Sequence, residues 1–142
     1  MEATEIIHCR GHPLVSASHP TTFEVTMEET LSENGHCIIG VGANKGASGL
    51  LKNFKEILCH DNALLATTLT CEGVRVTVHS KGSASMALDH PTDFVWRKST
   101  FVCGRTIGTR SDHVAATLPP ELVCHLKAGC QMVVTMTASR PG

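Results

Sequence analysis

Residues 22–28, Thr-Phe-Glu-Val-Thr-Met-Glu, alternate polar and apolar at every step. A period of two places Phe23, Val25 and Met27 on one face of a β-strand and Thr22, Glu24, Thr26 and Glu28 on the other. The same pattern recurs along the chain. Residues 4–10 form a first strand, ended by Gly11-His12-Pro13. Residues 64–71 and 74–80 read as a hairpin around Glu72-Gly73, with Val74, Val76 and Val78 inward and Arg75, Thr77 and His79 between them. Asn34-Gly35, inside the turn 33–36, supplies the positive φ of a tight hairpin, and the short strand 37–41 follows. Residues 93–99, 101–105 and 130–137 are strand-like, 84–88 more briefly, and Met132, Val134 and Met136 share a face of the last.

Two segments break this rhythm. Leu50, Leu51, Phe54, Ile57 and Leu58 make one apolar face of a helix. Pro119-Pro120-Glu121 opens a second helix that runs to Lys127 and stops at Gly129. Ser111-Asp112 caps a short helical turn through Ala116. Roughly seven to nine short strands without a strand–helix–strand rhythm predict a mainly β protein, α+β by count. The expected architecture is an antiparallel β-sandwich of jelly-roll type or a partly closed barrel, with the two short helices packed at its ends. We read no internal repeat, linker or low-complexity run, and a chain of 142 residues is expected to be one domain.

Charge narrows the partners. The net charge is −1, so no global field draws the chain to nucleic acid. Aromatic residues make up 4%, with one Trp and no Tyr, too few for the stacking platforms of single-stranded RNA binding. No apolar run approaches a membrane span. The acidic start Met1-Glu2-Ala3-Thr4-Glu5 lacks a signal sequence, and the seven cysteines, odd in number and without a CxxC pair, fit buried reduced thiols in the cytoplasm.

The densest chemistry lies in residues 90–112, where His90, Asp93, Arg97, Lys98, Arg105, Arg110 and Asp112 are interleaved with Phe94, Trp96 and Phe101. If Phe94 and Trp96 face the core, Arg97 and Ser99 share the other face with Asp93 and Val95. Arg105 keeps the parity of Arg97 if the strand is unbroken, so the two arginines line one groove suited to a carboxylate or phosphate. The structural alternative is that they form salt bridges with Asp93, Asp112 or Glu24. A second anion candidate is the glycine-rich stretch 40–46 with Lys45, between a strand and a helix, although it is neither a Walker A loop nor a dinucleotide fingerprint. Its alternative role is turn geometry alone.

Proton transfer would fall to His19, His90 or Asp112. Cys103 beside Arg105 is a candidate low-pKa thiol, weighed against a small buried hydrophobe. The pairs His36-Cys37, Cys59-His60 and Cys124-His125 point to opposite strand faces, and nothing in the spacing of His12, His19 and His90 requires a metal, so none is assigned. No cofactor is indicated.

Three segments carry a family resemblance. They are His19-Pro20-Thr21-Thr22-Phe23-Glu24-Val25-Thr26, residues 35–45 with Cys37-Ile38-Ile39-Gly40-Val41, and His90-Pro91-Thr92-Asp93-Phe94-Val95-Trp96-Arg97-Lys98-Ser99. Over nearly the whole chain these resemble a small archaeal and eukaryotic family known only as domain of unknown function number three hundred and seventy-one. Thr21, Thr22, Glu24, Lys45, His90, Arg97, Lys98, Ser99, Arg105 and Thr106 match its pattern. His36 stands where the family commonly has Asp, and Asp89 where it has Ser. The resemblance implies a β-sandwich of jelly-roll type and no activity.

The expected function is therefore a site for a phosphorylated or carboxylated small molecule. Lys45, Arg97, Lys98, Ser99, Arg105, Thr21 and Glu24 would hold the ligand, and His19, His90 and Asp112 would do acid–base work. The alternative is a non-catalytic RNA- or protein-binding module. A third is a structural subunit that forms homo-oligomers through an exposed apolar sheet face.

Overall fold

The computed structural model describes residues 1–32 and 34–141. Alternation sets the inward faces. In β1 (Glu2–Arg10), Ala3, Glu5, Ile7 and Cys9 are buried and the residues between them are not. After β2 (Thr22–Thr26) and β3 (Ile38–Gly40) come a 3₁₀ turn and helix α1 (Lys52–Leu58). The hairpin β4 (Leu64–Cys71) and β5 (Val74–Lys81) turns at Glu72-Gly73, where both residues have positive φ. Strands β6 (Asp93–Arg97) and β7 (Thr106–Gly108), a second 3₁₀ turn, helix α2 (Pro120–Lys127) and β8 (Gln131–Ser139) complete the chain.

The strands form two open sheets of four and no closed barrel among the described residues. One has the order β1-β8-β4-β5 and is antiparallel throughout. The other has the order β3-β2-β6-β7. Its central pair β2–β6 is antiparallel, but β2–β3 and β6–β7 run parallel. Parallel neighbours cannot be joined by a tight hairpin. The segment between β2 and β3 is thus a crossover, which corrects the hairpin expected at Asn34-Gly35; Glu33 of that turn lies outside the described residues. The inner faces of both sheets share one core. Phe23 stacks on Trp96 at 4.6 Å, and the Trp96 indole N–H donates to Thr67 Oγ1 of the other sheet at 2.9 Å.

The two halves of the chain repeat one another. The order strand, strand, strand, 3₁₀ turn, helix, strand occurs twice, β1–β4 matching β5–β8. Exchanging the halves leaves both sheet orders unchanged, so a pseudo-two-fold axis crosses both sheets. Across β2–β6, Thr22 faces Arg97, Thr26 faces Asp93, and the centre of the register is Glu24 opposite Val95. Backbone details obey the same exchange. Glu24 N–H donates to Cys37 O at 2.9 Å and Val95 N–H to Arg105 O at 2.7 Å. Ser48 N–H donates to His90 O at 2.9 Å and Ala116 N–H to His19 O at 3.1 Å. Gly11 and Gly82 correspond, and a Cβ on either would strike a carbonyl of the opposite half's helix, Leu126 O or Leu58 O. We thus find the internal repeat that the sequence reading lacks. Each half does hold a strand–helix–strand run, but its helix links strands of different sheets.

Other differences are local. Met27 is exposed beyond the end of β2. Residues 84–88 and 101–105 form no strand, and the chain between β6 and β7 is a loop. The 3₁₀ turn Ala115–Thr117 has its N-cap at Val114, not at Ser111-Asp112. No helix among the described residues is long and apolar enough to cross a membrane.

Candidate functional site

The outward face of β2 and β6 is polar yet covered. Phe23, Val25, Phe94 and Trp96 turn inward, which sends Thr22, Glu24 and Thr26 of β2 and Asp93 and Arg97 of β6 to the other side. The loop after β6 folds back over them, so Glu24 is only 5% exposed on a face that sequence alternation alone would make wet.

Arg105 is the hub of this cluster. Its Nη1 donates to Glu24 Oε1 and to Asp93 Oδ2, both at 3.3 Å. Asp93 Oδ1 also accepts the hydroxyls of Thr26 at 2.7 Å and Thr92 at 2.9 Å. Burial, and then the nearby Asp93 charge, push the Glu24 carboxyl up to about 7; Arg105 and Arg97 pull the other way and lose. Near neutral pH the Glu24 carboxyl therefore lies between its charged and neutral forms.

Cys103 lies at the cluster's edge. Thr106 Oγ1 accepts Arg97 Nε–H at 3.0 Å and Cys103 N–H at 3.1 Å. With both lone pairs used, its own hydrogen points to Cys103 Sγ, 3.6 Å away. Arg97 Nη2 donates to the same sulfur at 3.5 Å. Burial pushes the Cys103 thiol up, but the Arg105 backbone N–H, the Thr106 hydroxyl and Arg97 outweigh it and bring the thiol to about 7. Arg97 also lies over the Phe101 ring, 4.9 Å from its centre.

Of the residues singled out in the sequence, Glu24, Arg97 and Arg105 meet here. His90 stands at the rim, its Nε2 3.8 Å from Asp93 Oδ2. Its Nδ1 accepts the N–H groups of Thr92 and Asp93 at 3.2 and 3.0 Å, which fixes the turn into β6. His19 does the same at the turn into β2, accepting Thr21 and Thr22 N–H, both at 3.2 Å. Asp112 accepts His79 N–H at 2.8 Å, as Asn44 accepts His8 N–H at 3.0 Å in the first half. Both tie a loop to an edge strand of the first sheet.

Lys45 is committed elsewhere. Its Nζ lies 2.9 Å from Glu5 Oε1, and Glu5 Oε2 accepts Leu51 N–H at 2.6 Å. Its glycine-rich loop packs on the other half's turn, with Gly46 against the Pro91 backbone. Thr21, Lys98 and Ser99 stay at the exposed ends of the central strands: Thr21 O accepts Lys98 N–H at 2.9 Å, and Ser99 Oγ accepts Phe101 N–H at 3.3 Å. The salt-bridge alternative describes Arg105, which pairs with Glu24 and Asp93, but not Arg97, which pairs with no carboxylate among the described residues. No group of three His, Cys, Asp or Glu residues there is placed to hold a metal ion.

Asp93, Thr106 and Cys37, whose Sγ lies 4.0 Å from Glu24 Oε1, complete the cluster. Asp93 was legible as a neighbour of Arg97 by parity. Cys37 was not, because its approach depends on the parallel β2–β3 pairing.

Comparison with known proteins agrees with the motifs. An uncharacterised protein of Methanocaldococcus jannaschii is 38% identical over 128 residues, covering 90% of this chain and 94% of that protein. The family model described as a domain of unknown function, DUF371, matches residues 7–139. The chain belongs to the DUF371 family.

Proposed function

We propose that the covered polar face of the second sheet is an acid–base site for a small carboxylated or phosphorylated molecule, and that the protein is an enzyme. Glu24 is the proton-transfer group. Arg97 is the anion anchor, because its Nη1 is uncommitted among the described residues. Arg105 holds the carboxyl pair together and neutralises one of its charges. Cys103 offers a thiolate at the same edge.

One observation carries this reading: a buried carboxyl held near neutrality beside a second carboxylate and two arginines. The fold does not require that arrangement. The pseudo-two-fold axis puts Val95 in the place of Glu24, Thr22 in that of Asp93, Thr26 in that of Arg97 and Cys37 in that of Arg105, and the same architecture forms.

The test is a melting-temperature screen of phosphorylated and carboxylated metabolites against wild type and Arg97→Ala. The site reading expects at least one compound to raise the wild-type melting temperature and to lose that effect in a folded Arg97→Ala variant. Binding should also take up protons near pH 7, because an added anion favours the neutral Glu24 carboxyl. A screen in which no compound shifts wild type, or in which every compound that does so shifts Arg97→Ala equally, overturns it.

A further inference from the structure

We propose that Lys81 and Arg110 form a second, separate site that holds the phosphate group of a small polar molecule. They line a cleft of about 530 Å³ between the end of β5, the loop after β6 and the segment after β7. That volume suits a metabolite. Ser83 and Thr100 add hydroxyls, and Asp61 is the one acid in the lining. Asp61 accepts Ala84 N–H at 2.8 Å. Neither Lys81 nor Arg110 has an ion-pair partner among the described residues.

The first half of the chain is the internal control. The isolated bridges Arg10–Val41 and Lys81–Thr109 are equivalent, so Arg10 stands for Lys81. Gly42 N–H donates to Glu28 O at 2.8 Å, as Arg110 N–H does to Ser99 O at 3.0 Å, so Gly42 stands for Arg110 and Glu29 for Thr100. In the first half Arg10 pairs with Glu29 and closes over Gly42, where a Cβ would strike its guanidinium. In the second half threonine replaces the acid and arginine replaces the glycine. The first change removes a negative charge and the second adds a positive one, so both make the cleft more positive.

The backbone sharpens the contrast. Gly42 has φ +63° and Arg110 φ +49°. The turn needs a left-handed residue in both halves, and glycine is the residue that meets this need without strain. Keeping an arginine there, unpaired and lining a cleft, is the mark of a ligand site. Two cations from different segments, with hydroxyls beside them, match a phosphate dianion better than a singly charged carboxylate. No aromatic residue lines the cleft, so the rest of the ligand is expected to be hydroxyl-rich, as in a sugar phosphate.

The test uses inorganic phosphate and pyrophosphate, with acetate as the carboxylate probe, by calorimetry at low salt on the full chain. Two variants install residues that the first half already tolerates. Thr100→Glu supplies the acid of Glu29, and Arg110→Gly supplies the glycine. Wild type should bind phosphate or pyrophosphate and favour either over acetate; each variant should weaken that binding about tenfold or more. Arg110→Gly should melt no lower than wild type, so the loss cannot be put down to unfolding. The proposal is overturned if wild type fails to bind both phosphate probes at about 10 mM. It is also overturned if both variants bind as wild type does, or if acetate binds as tightly as phosphate.

Discussion

Replacing Glu24 by glutamine removes a buried titration while keeping the shape and one hydrogen-bond acceptor. Glu24 is lifted from 4.5 to about 7, chiefly by burial and then by Asp93. That rise corresponds to about 3 kcal/mol between the two protonation states. The sign follows from proton binding. Below pH 4.5 the carboxyl is protonated in both the folded and unfolded chains and carries no penalty. As pH rises, the unfolded chain releases its proton first while the folded chain keeps it, so stability falls. The loss is complete once pH passes the folded value near 7. Glutamine has no proton to lose, and Arg105 keeps Asp93 as its partner. Urea denaturation of both proteins from pH 4 to pH 8 isolates this group, because the other titrations largely cancel in the difference. The variant should gain on wild type between pH 4.5 and 7 and lead by up to about 3 kcal/mol at pH 8, roughly 10 °C in melting temperature for a chain of this size. Two curves that stay parallel across the range would refute the buried-acid reasoning.

Three further outcomes follow from the same geometry. Alkylation of Cys103 should titrate with a midpoint near 7 and outpace Cys37, Cys59 and Cys71, whose thiols are raised by burial, while Cys9, pushed up to about 12, stays unlabelled by mass spectrometry; Arg97→Met should move the Cys103 midpoint upward. Gly11→Ala and Gly82→Ala should each destabilise by about 2 kcal/mol or more, because both Cβ atoms meet a helix carbonyl, and thermal melts showing one tolerated would break the equivalence of the halves. Lys45→Met should cost about 3 kcal/mol by leaving buried Glu5 without its cation. An anion-binding surface lysine, in contrast, could be removed with no loss in a denaturant melt.

The strands and helices were legible because their signals are local. Period-two alternation located β1, β2, β4, β5 and β8, and Gly129 with φ +81° ends α2 where expected. Pairing was less legible, since nothing local distinguishes a parallel β2–β3 crossover from a hairpin. The duplication left a trace in His19-Pro20-Thr21-Thr22-Phe23 and His90-Pro91-Thr92-Asp93-Phe94. The histidines of both copies accept the backbone N–H groups of the same turn. The site itself was half-visible. Strand parity placed Arg97 beside Asp93, but the covering of an outward sheet face by a long loop is a tertiary event. Burial of Glu24, the feature that makes the face chemically active, could not be read from alternation that marks it as exposed.

The most direct test of the account is an NMR titration of the Glu24 side-chain carboxyl in uniformly ¹³C-labelled protein, assigned with Glu24→Gln. The expected midpoint is near 7, raised by burial and then by the Asp93 charge. A midpoint near the ordinary 4.5 of a solvated glutamate would contradict it and leave the cluster as a structural ion-pair network.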